Sequence, residues 1–91
     1  LTSTMALVFL PAPLRDLTGD VERVEVHAGS LREVIAELER RYPGIRERLC
    51  EGDELSPGLQ VSVDHVLVSR AGSVRIGPDS EVHFLPAIGG G

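Results

Sequence analysis

The residues best suited to chemistry are the last three. The segment "FLPAIGGG" runs from Phe84 through Pro86 into Gly89, Gly90 and Gly91, leaving a bare carboxylate on Gly91. A terminal carboxyl ordinarily titrates at about 3.3–3.7, so near neutral pH it is an anion and a poor electrophile. It becomes reactive only after activation, for instance as a mixed anhydride with a nucleotide. Glycines suit the delivery of such a group, because a chain without Cβ atoms passes through a channel only as wide as the backbone. Residues 87–91, fully extended, reach roughly 17 Å from the body of a domain.

Other candidate chemistry is sparse. His27, His65 and His83 are far apart in sequence and lack a cysteine companion, so no metal site is expected. Cys50 follows Leu49 in what reads as a helical turn, and is expected to be a small buried hydrophobe rather than a nucleophile. The fourteen carboxylates are spread along the chain and read as solvation. All nine basic residues are arginines, which removes Schiff-base and phosphate-loop lysine chemistry. Neither G-x-x-x-x-G-K-[ST] nor G-x-G-x-x-G occurs. Nothing here would activate Gly91 from within, so the nucleotide-binding machinery is expected in a partner, with no cofactor bound by the chain itself.

Composition narrows the class. Ninety-one residues make one small domain, and 42% hydrophobic content fits a globular fold. No apolar run approaches the roughly 18 residues of a membrane span, and the N-terminal run lacks the basic residues of a secretory signal. A soluble, cytoplasmic protein is expected, with Met5 as an alternative start to Leu1. One cysteine excludes an internal disulfide, and a net charge of −5 disfavours nucleic acid.

The elements that must position the tail are legible from periodicity. "MALVFLP" (residues 5–11) reads as a strand with neighbours on both sides, and "APLRDLTGD" as turn-rich. "VERVEVHA" alternates Val24, Val26 and Ala28 against Arg23, Glu25 and His27, giving a half-buried strand that pairs with the first as a hairpin. Ser30 and Glu33 form a capping-box pattern ahead of Leu31, Val34, Ile35 and Leu38, which share one helical face. Glu37 and Arg41 are spaced to pair on the wet side, and Pro43 with Gly44 ends the helix. A polar connection follows, with one helical turn carrying Ile45 and Leu49 inward. "LQVSVD" and "HVLVS" read as strands separated by a turn, Val74–Ile76 as a short piece, and "EVHFLP" as a strand alternating Val82 and Phe84 against Glu81, His83 and Leu85. The fold class is α+β: a mixed sheet of four to five strands packed on one main helix, leaving one sheet face for solvent or a partner. Residues 1–86 form the domain and residues 87–91 a flexible tail released at Pro86.

A domain of this order and size ending in "LPAIGGG" resembles the ubiquitin-like β-grasp sulfur carriers. These include the small subunit of molybdopterin synthase, the thiamine-pathway carrier and the carrier of an actinobacterial cysteine-synthesis route. The resemblance covers Met5 to Gly91; its specific part is the terminal motif, with "SLREVIAELERRYPGIRERL", "VSVDHVLV" and "DSEVHFLPAIGGG" falling where the family has counterparts. It implies that an E1-like adenylating and sulfurtransferase enzyme uses ATP to activate Gly91, that a sulfur donor converts the adenylate to a thiocarboxylate, and that a sulfur-accepting biosynthetic enzyme takes the sulfur. Ala87, Ile88, Gly89, Gly90 and Gly91 then enter the partner's active site. Leu7, Phe9, Leu85 and Pro86 are the docking candidates. The family requires only a terminal glycine pair, so Gly89 reads as a small-residue variant; were Gly91 trimmed, Gly90 would become the acceptor. Length and the "LPA" lead-in favour the cysteine-type carrier, with the molybdopterin type next. A ubiquitin-like protein modifier joined to lysines through Gly91, and a plain interaction module with an inert tail, remain as alternatives.

Overall fold

A computed structural model describes residues 5–52, 54–68 and 74–86. Its main sheet holds five strands: β1 (Ala6–Phe9), β2 (Arg23–Val26), β5 (Leu59–Val63), β6 (Val66–Val68) and β7 (Glu81–Pro86). They lie in the order β2-β1-β7-β5-β6, and only β1 and β7 run parallel. The strand "MALVFLP" therefore does have neighbours on both sides, and β1 and β2 form the expected antiparallel pair, with Val8 opposite Val24. β7 sits in the middle of the sheet, so both of its edges are paired before the chain reaches the tail.

The main helix, α2 (Leu31–Arg41), begins as its sequence dictates. The Ser30 hydroxyl accepts from the Glu33 amide at 3.2 Å, satisfying one of the donors that a helix start leaves open. The Glu33 carboxylate returns to the Gly29 amide at 2.6 Å, one residue earlier than the usual reciprocal bond to the cap. Leu31, Val34, Ile35 and Leu38 are buried and join Val8, Val26, Val61, Val82 and Phe84 in one core. Glu37 does pair with Arg41, at 2.9 Å, and also with Arg40. The helix stops at Arg41, ahead of Pro43, and Gly44 turns the chain with φ near 100°. The Glu39 carboxylate then accepts from the amides of Gly44 and Arg46, joining the two helices. Those bonds, Arg46 first and Gly44 second, hold its carboxyl below the usual range.

Several connections carry more structure than periodicity revealed. The turn-rich segment after β1 contains a single 3₁₀ turn (Ala12–Leu14) and a short helix α1 (Arg15–Thr18). Thr18 is buried there, its hydroxyl donating to the carbonyls of Arg15 and Val21. After α3 (Ile45–Leu49), which buries Ile45 and Leu49 as expected, β3 (Cys50–Glu51) and β4 (Glu54–Leu55) form a small separate hairpin. Cys50 is thus corrected: it follows the helical turn as the first residue of a strand, half-buried opposite Leu55. The short piece at Val74–Ile76 contributes one isolated bridge, Arg75 to Ser30, rather than a strand, and buries Ile76.

The β5–β6 turn is built by Asp64 and His65, both left-handed with φ of 51° and 72°, the geometry that a two-residue hairpin requires. Asp64 also ties this turn to the approach into β7. Its carboxylate accepts from the Ser80 hydroxyl at 3.0 Å and from the Glu81 amide at 2.9 Å, while Ser80 accepts from the Gly77 amide.

Candidate functional site

With α2 and the core on one side, side-chain alternation sends a second set of residues to the other. Leu7 and Phe9 of β1, His83 and Leu85 of β7, and Gln60 and Ser62 of β5 occupy this uncovered face. Strand register makes it continuous. Arg23, Phe9, His83, Ser62 and Leu67 are successive cross-strand partners running across all five strands. A second row sets Leu7 between Glu25 and Glu81, and Leu85 lies beside Gln60 nearer the end of β7.

At the centre, the Phe9 and His83 rings stack with centroids 4.2 Å apart and planes within 4°. His83 also meets the Glu81 carboxylate, Nε2 to Oε1 at 3.3 Å, which fixes its ring over Phe9. Two aromatic rings stacked between neighbouring strands make a preorganised platform at the centre of the face, the kind of surface on which interface energy concentrates. The large apolar residues most exposed among those described are Val66, Leu67 and Leu85, and two of these, Leu67 and Leu85, belong to this face.

Three of the four expected docking residues, Leu7, Phe9 and Leu85, are therefore brought together. Pro86 is not among them. It stands opposite Leu59 on the side shared by Val82 and Phe84, and lines a groove with Pro11, Pro13, Leu14 and Leu59. The face also holds His83 and Leu67, which were not among the expected docking residues. His83 was legible from the same alternation that selected Leu85, whereas the phase of "HVLVS" leaves Leu67 and its neighbours ambiguous without the register to β5. Ala87, Ile88, Gly89, Gly90 and Gly91 lie outside the described residues, as does the expected boundary at 86/87.

Elsewhere, the described residues hold no group of three side chains suited to a metal, and no helix among them is long and apolar enough to cross a membrane. His27, His65 and His83 stand respectively after β2, in the β5–β6 turn and within β7.

The sequence of the ThiS family matches residues 8–91, through the terminal glycines. The chain belongs to the ThiS family. Among its relatives, the sulfur carrier protein CysO of Mycobacterium tuberculosis is 35% identical over 91 residues, spanning 92% of this chain and 96% of the relative. The crystal structure of Mycobacterium tuberculosis CysO superposes with a TM-score of 0.82 at 30% identity, covering 91% of this chain and 99% of the other. A chain of the Amycolatopsis orientalis BexX/CysO complex superposes with a TM-score of 0.80, also at 30% identity, covering 94% and 99%. The β-grasp fold and the sulfur-carrier family expected from "LPAIGGG" are both borne out. Within the ThiS family, the relatives named here bear out the leaning toward the cysteine-type carrier.

Proposed function

We propose that this chain is a cysteine-type sulfur carrier that acts as a protein co-substrate rather than as an enzyme. The observation that carries this reading is the ThiS-family match running through Gly91, on a chain whose curated relatives are sulfur carriers. The reaction begins outside the domain. An E1-like partner binds ATP, and the Gly91 carboxylate attacks the α-phosphate, releasing pyrophosphate and forming an acyl adenylate. Sulfide, supplied by a sulfur donor, then attacks the acyl carbon and AMP leaves with the loss of a proton, so one carboxylate oxygen is replaced by sulfur. The resulting thiocarboxylate is a nucleophile, which a second partner uses to build a sulfur-containing product.

Each segment has a separate role in this scheme. Gly91 carries the reacting carbon, Gly89 and Gly90 pass through a passage too narrow for side chains, and Ala87 and Ile88 span the distance from the sheet. The platform of Leu7, Phe9, His83 and Leu85 docks the partner and so fixes where the tail enters. The named BexX/CysO complex of Amycolatopsis orientalis supports the expectation that carriers of this shape work bound to another protein. ATP belongs to the activating partner, and the reaction is placed in the cytoplasm.

The test is the intact mass of the protein after incubation with ATP, a sulfide source and extract of its native cell. The expected outcome is a gain equal to exchanging one oxygen for one sulfur, mapped to Gly91 and absent when Gly91 is deleted. An unchanged mass under conditions that activate a known carrier overturns the proposal.

A further inference from the structure

The main sheet ends in two unlike edges. β2 closes one side, and its exposed side chains, Arg23 and Glu25, carry charge. Charged side chains on an edge strand discourage a further strand from pairing there. β6 closes the other side with Val66, Leu67 and Val68, and holds neither a charge nor a proline. Val66 and Leu67 are 64% and 63% exposed, the highest values among the described large apolar residues. They belong to opposite sides of the sheet: Val66 stands opposite Val63 on the helix side, and Leu67 opposite Ser62 on the open face. A partner lying flat on the open face would cover only Leu67. Apolar exposure on both sides of one edge calls for an added strand, which brings side chains to both.

The backbone fixes where such a strand bonds. The Asp64 amide donates to the Glu81 carbonyl at 2.9 Å, so the backbone groups of Asp64 and, two residues back, of Ser62 face β7. Those of Val61 and Val63 therefore face β6, where Val68 and Val66 are their partners. Leu67 lies between these two bonded pairs, and its own N–H and C=O point outward from the sheet. Within β6 this is the one outward-facing donor and acceptor. A second copy, turned antiparallel about a two-fold axis beside Leu67, satisfies both: each Leu67 amide donates to the other Leu67 carbonyl. The same register sets Val66 of each copy against Val68 of the other, and Leu67 against Leu67 on the open face. "VLV" is thus its own complement, whereas a longer extended peptide would find no further outward group in β6. The carboxylate of the adjoining turn, on Asp64, is taken up by Ser80 and Glu81, which keeps it from the seam.

We propose that β6 pairs antiparallel with β6 of a second copy of this chain, centred on Leu67, joining the two main sheets edge to edge. A three-residue strand from each copy falls short of the roughly 1,200 Å² that a stable interface buries, so the pairing is weak and reversible. Both open faces lie on the same side of the joined sheet. Phe9 and His83 stay uncovered, with β5 between His83 and the seam. The pairing is independent of the sulfur-carrier reading and asks nothing of Gly91.

The experiment uses the full chain from micromolar to millimolar concentration, followed by sedimentation and by amide and methyl nuclear magnetic resonance. The mean mass should rise toward twice the monomer value, and the Leu67 amide should shift with it, while the amides of Val66 and Val68, already bonded to β5, move less. In a mixture of differently labelled copies, nuclear Overhauser contacts should join the Val66 methyls of one copy to the Val68 methyls of the other. Leu67→Lys changes an exposed side chain and sets two like charges at the centre of the seam. It should abolish the mass rise, the shifts and the cross-copy contacts, and leave the dilute spectrum of β1 and β7 in place. A monomer mass up to millimolar concentration, without cross-copy contacts, overturns the proposal. So does association that survives Leu67→Lys, or whose shifts centre on Phe9, His83 or Leu85, since either puts the contact away from the β6 edge.

Discussion

Phe9 and His83 lie face to face because β1 and β7 run parallel with these two residues in register. They are 74 positions apart in sequence, yet form the centre of the uncovered sheet face. Phe9→Ala should cut activation of Gly91 by roughly 30-fold in kcat/KM, the loss expected of an aromatic interface anchor worth about 2 kcal/mol. His83→Ala should cost less. The double variant should cost less than the two losses combined, because each ring supports the other. ATP–pyrophosphate exchange by the activating enzyme, read beside thermal melts, checks this. Full exchange with Phe9→Ala would place the docking surface elsewhere.

Ser30→Ala tests the helix start. It leaves the Glu33 amide without its acceptor and should cost about 1 kcal/mol, a fall in Tm of roughly 4–8 °C for a domain of this size. Ser30→Asp should retain most of the stability, since a carboxylate accepts the same bond and favours the positive end of the helix. A calorimetric melt of the three proteins separates these outcomes.

The pattern of what the sequence reveals follows the range of the interactions. Ser30, Glu33 and the buried stripe of α2 act within one or two turns, so spacing alone exposes them. Alternation likewise places Val82 and Phe84 inside and Leu85 outside. It says nothing about which strands are neighbours, and the β1–β7 pairing is needed before Phe9 can be set against His83. The same gap hides the separation of Pro86 from Leu85: adjacent residues on a strand face opposite ways, and one joins the platform while the other lines the groove. Cys50 was misplaced for a different reason. The helical turn of α3 ends at Leu49, and its successor takes extended geometry to pair with Leu55, a two-residue strand too short to leave a period.

Asp64 links the β5–β6 turn to the start of β7, and its removal should be felt at both. Asp64→Ala deletes two accepted hydrogen bonds and puts alanine at a φ of 51°, so a loss of about 2 kcal/mol is expected. Asp64→Asn tolerates that backbone conformation and keeps one carbonyl acceptor, so it should lose less. Denaturant midpoints at a common slope measure the difference, and equal losses in the two variants would make the backbone conformation irrelevant.

Glu37 sets an acid-dependent contribution to stability. Hydrogen bonds from Arg40 first and Arg41 second hold its carboxyl at about 2, against an ordinary value of 4.5. The folded state therefore binds this proton less readily than the unfolded chain. Such a group stabilises the fold above its unfolded value, and the contribution is lost as pH falls from about 4.5 toward about 2. Glu37→Gln removes the effect, so wild type and variant should differ most near pH 7 and converge on acidification to pH 2. The pair is solvent-accessible, so 1 M salt should shrink the difference at pH 7 by screening. Urea midpoints for both proteins across this range provide the check, and a gap that widens on acidification would reverse the assigned sign.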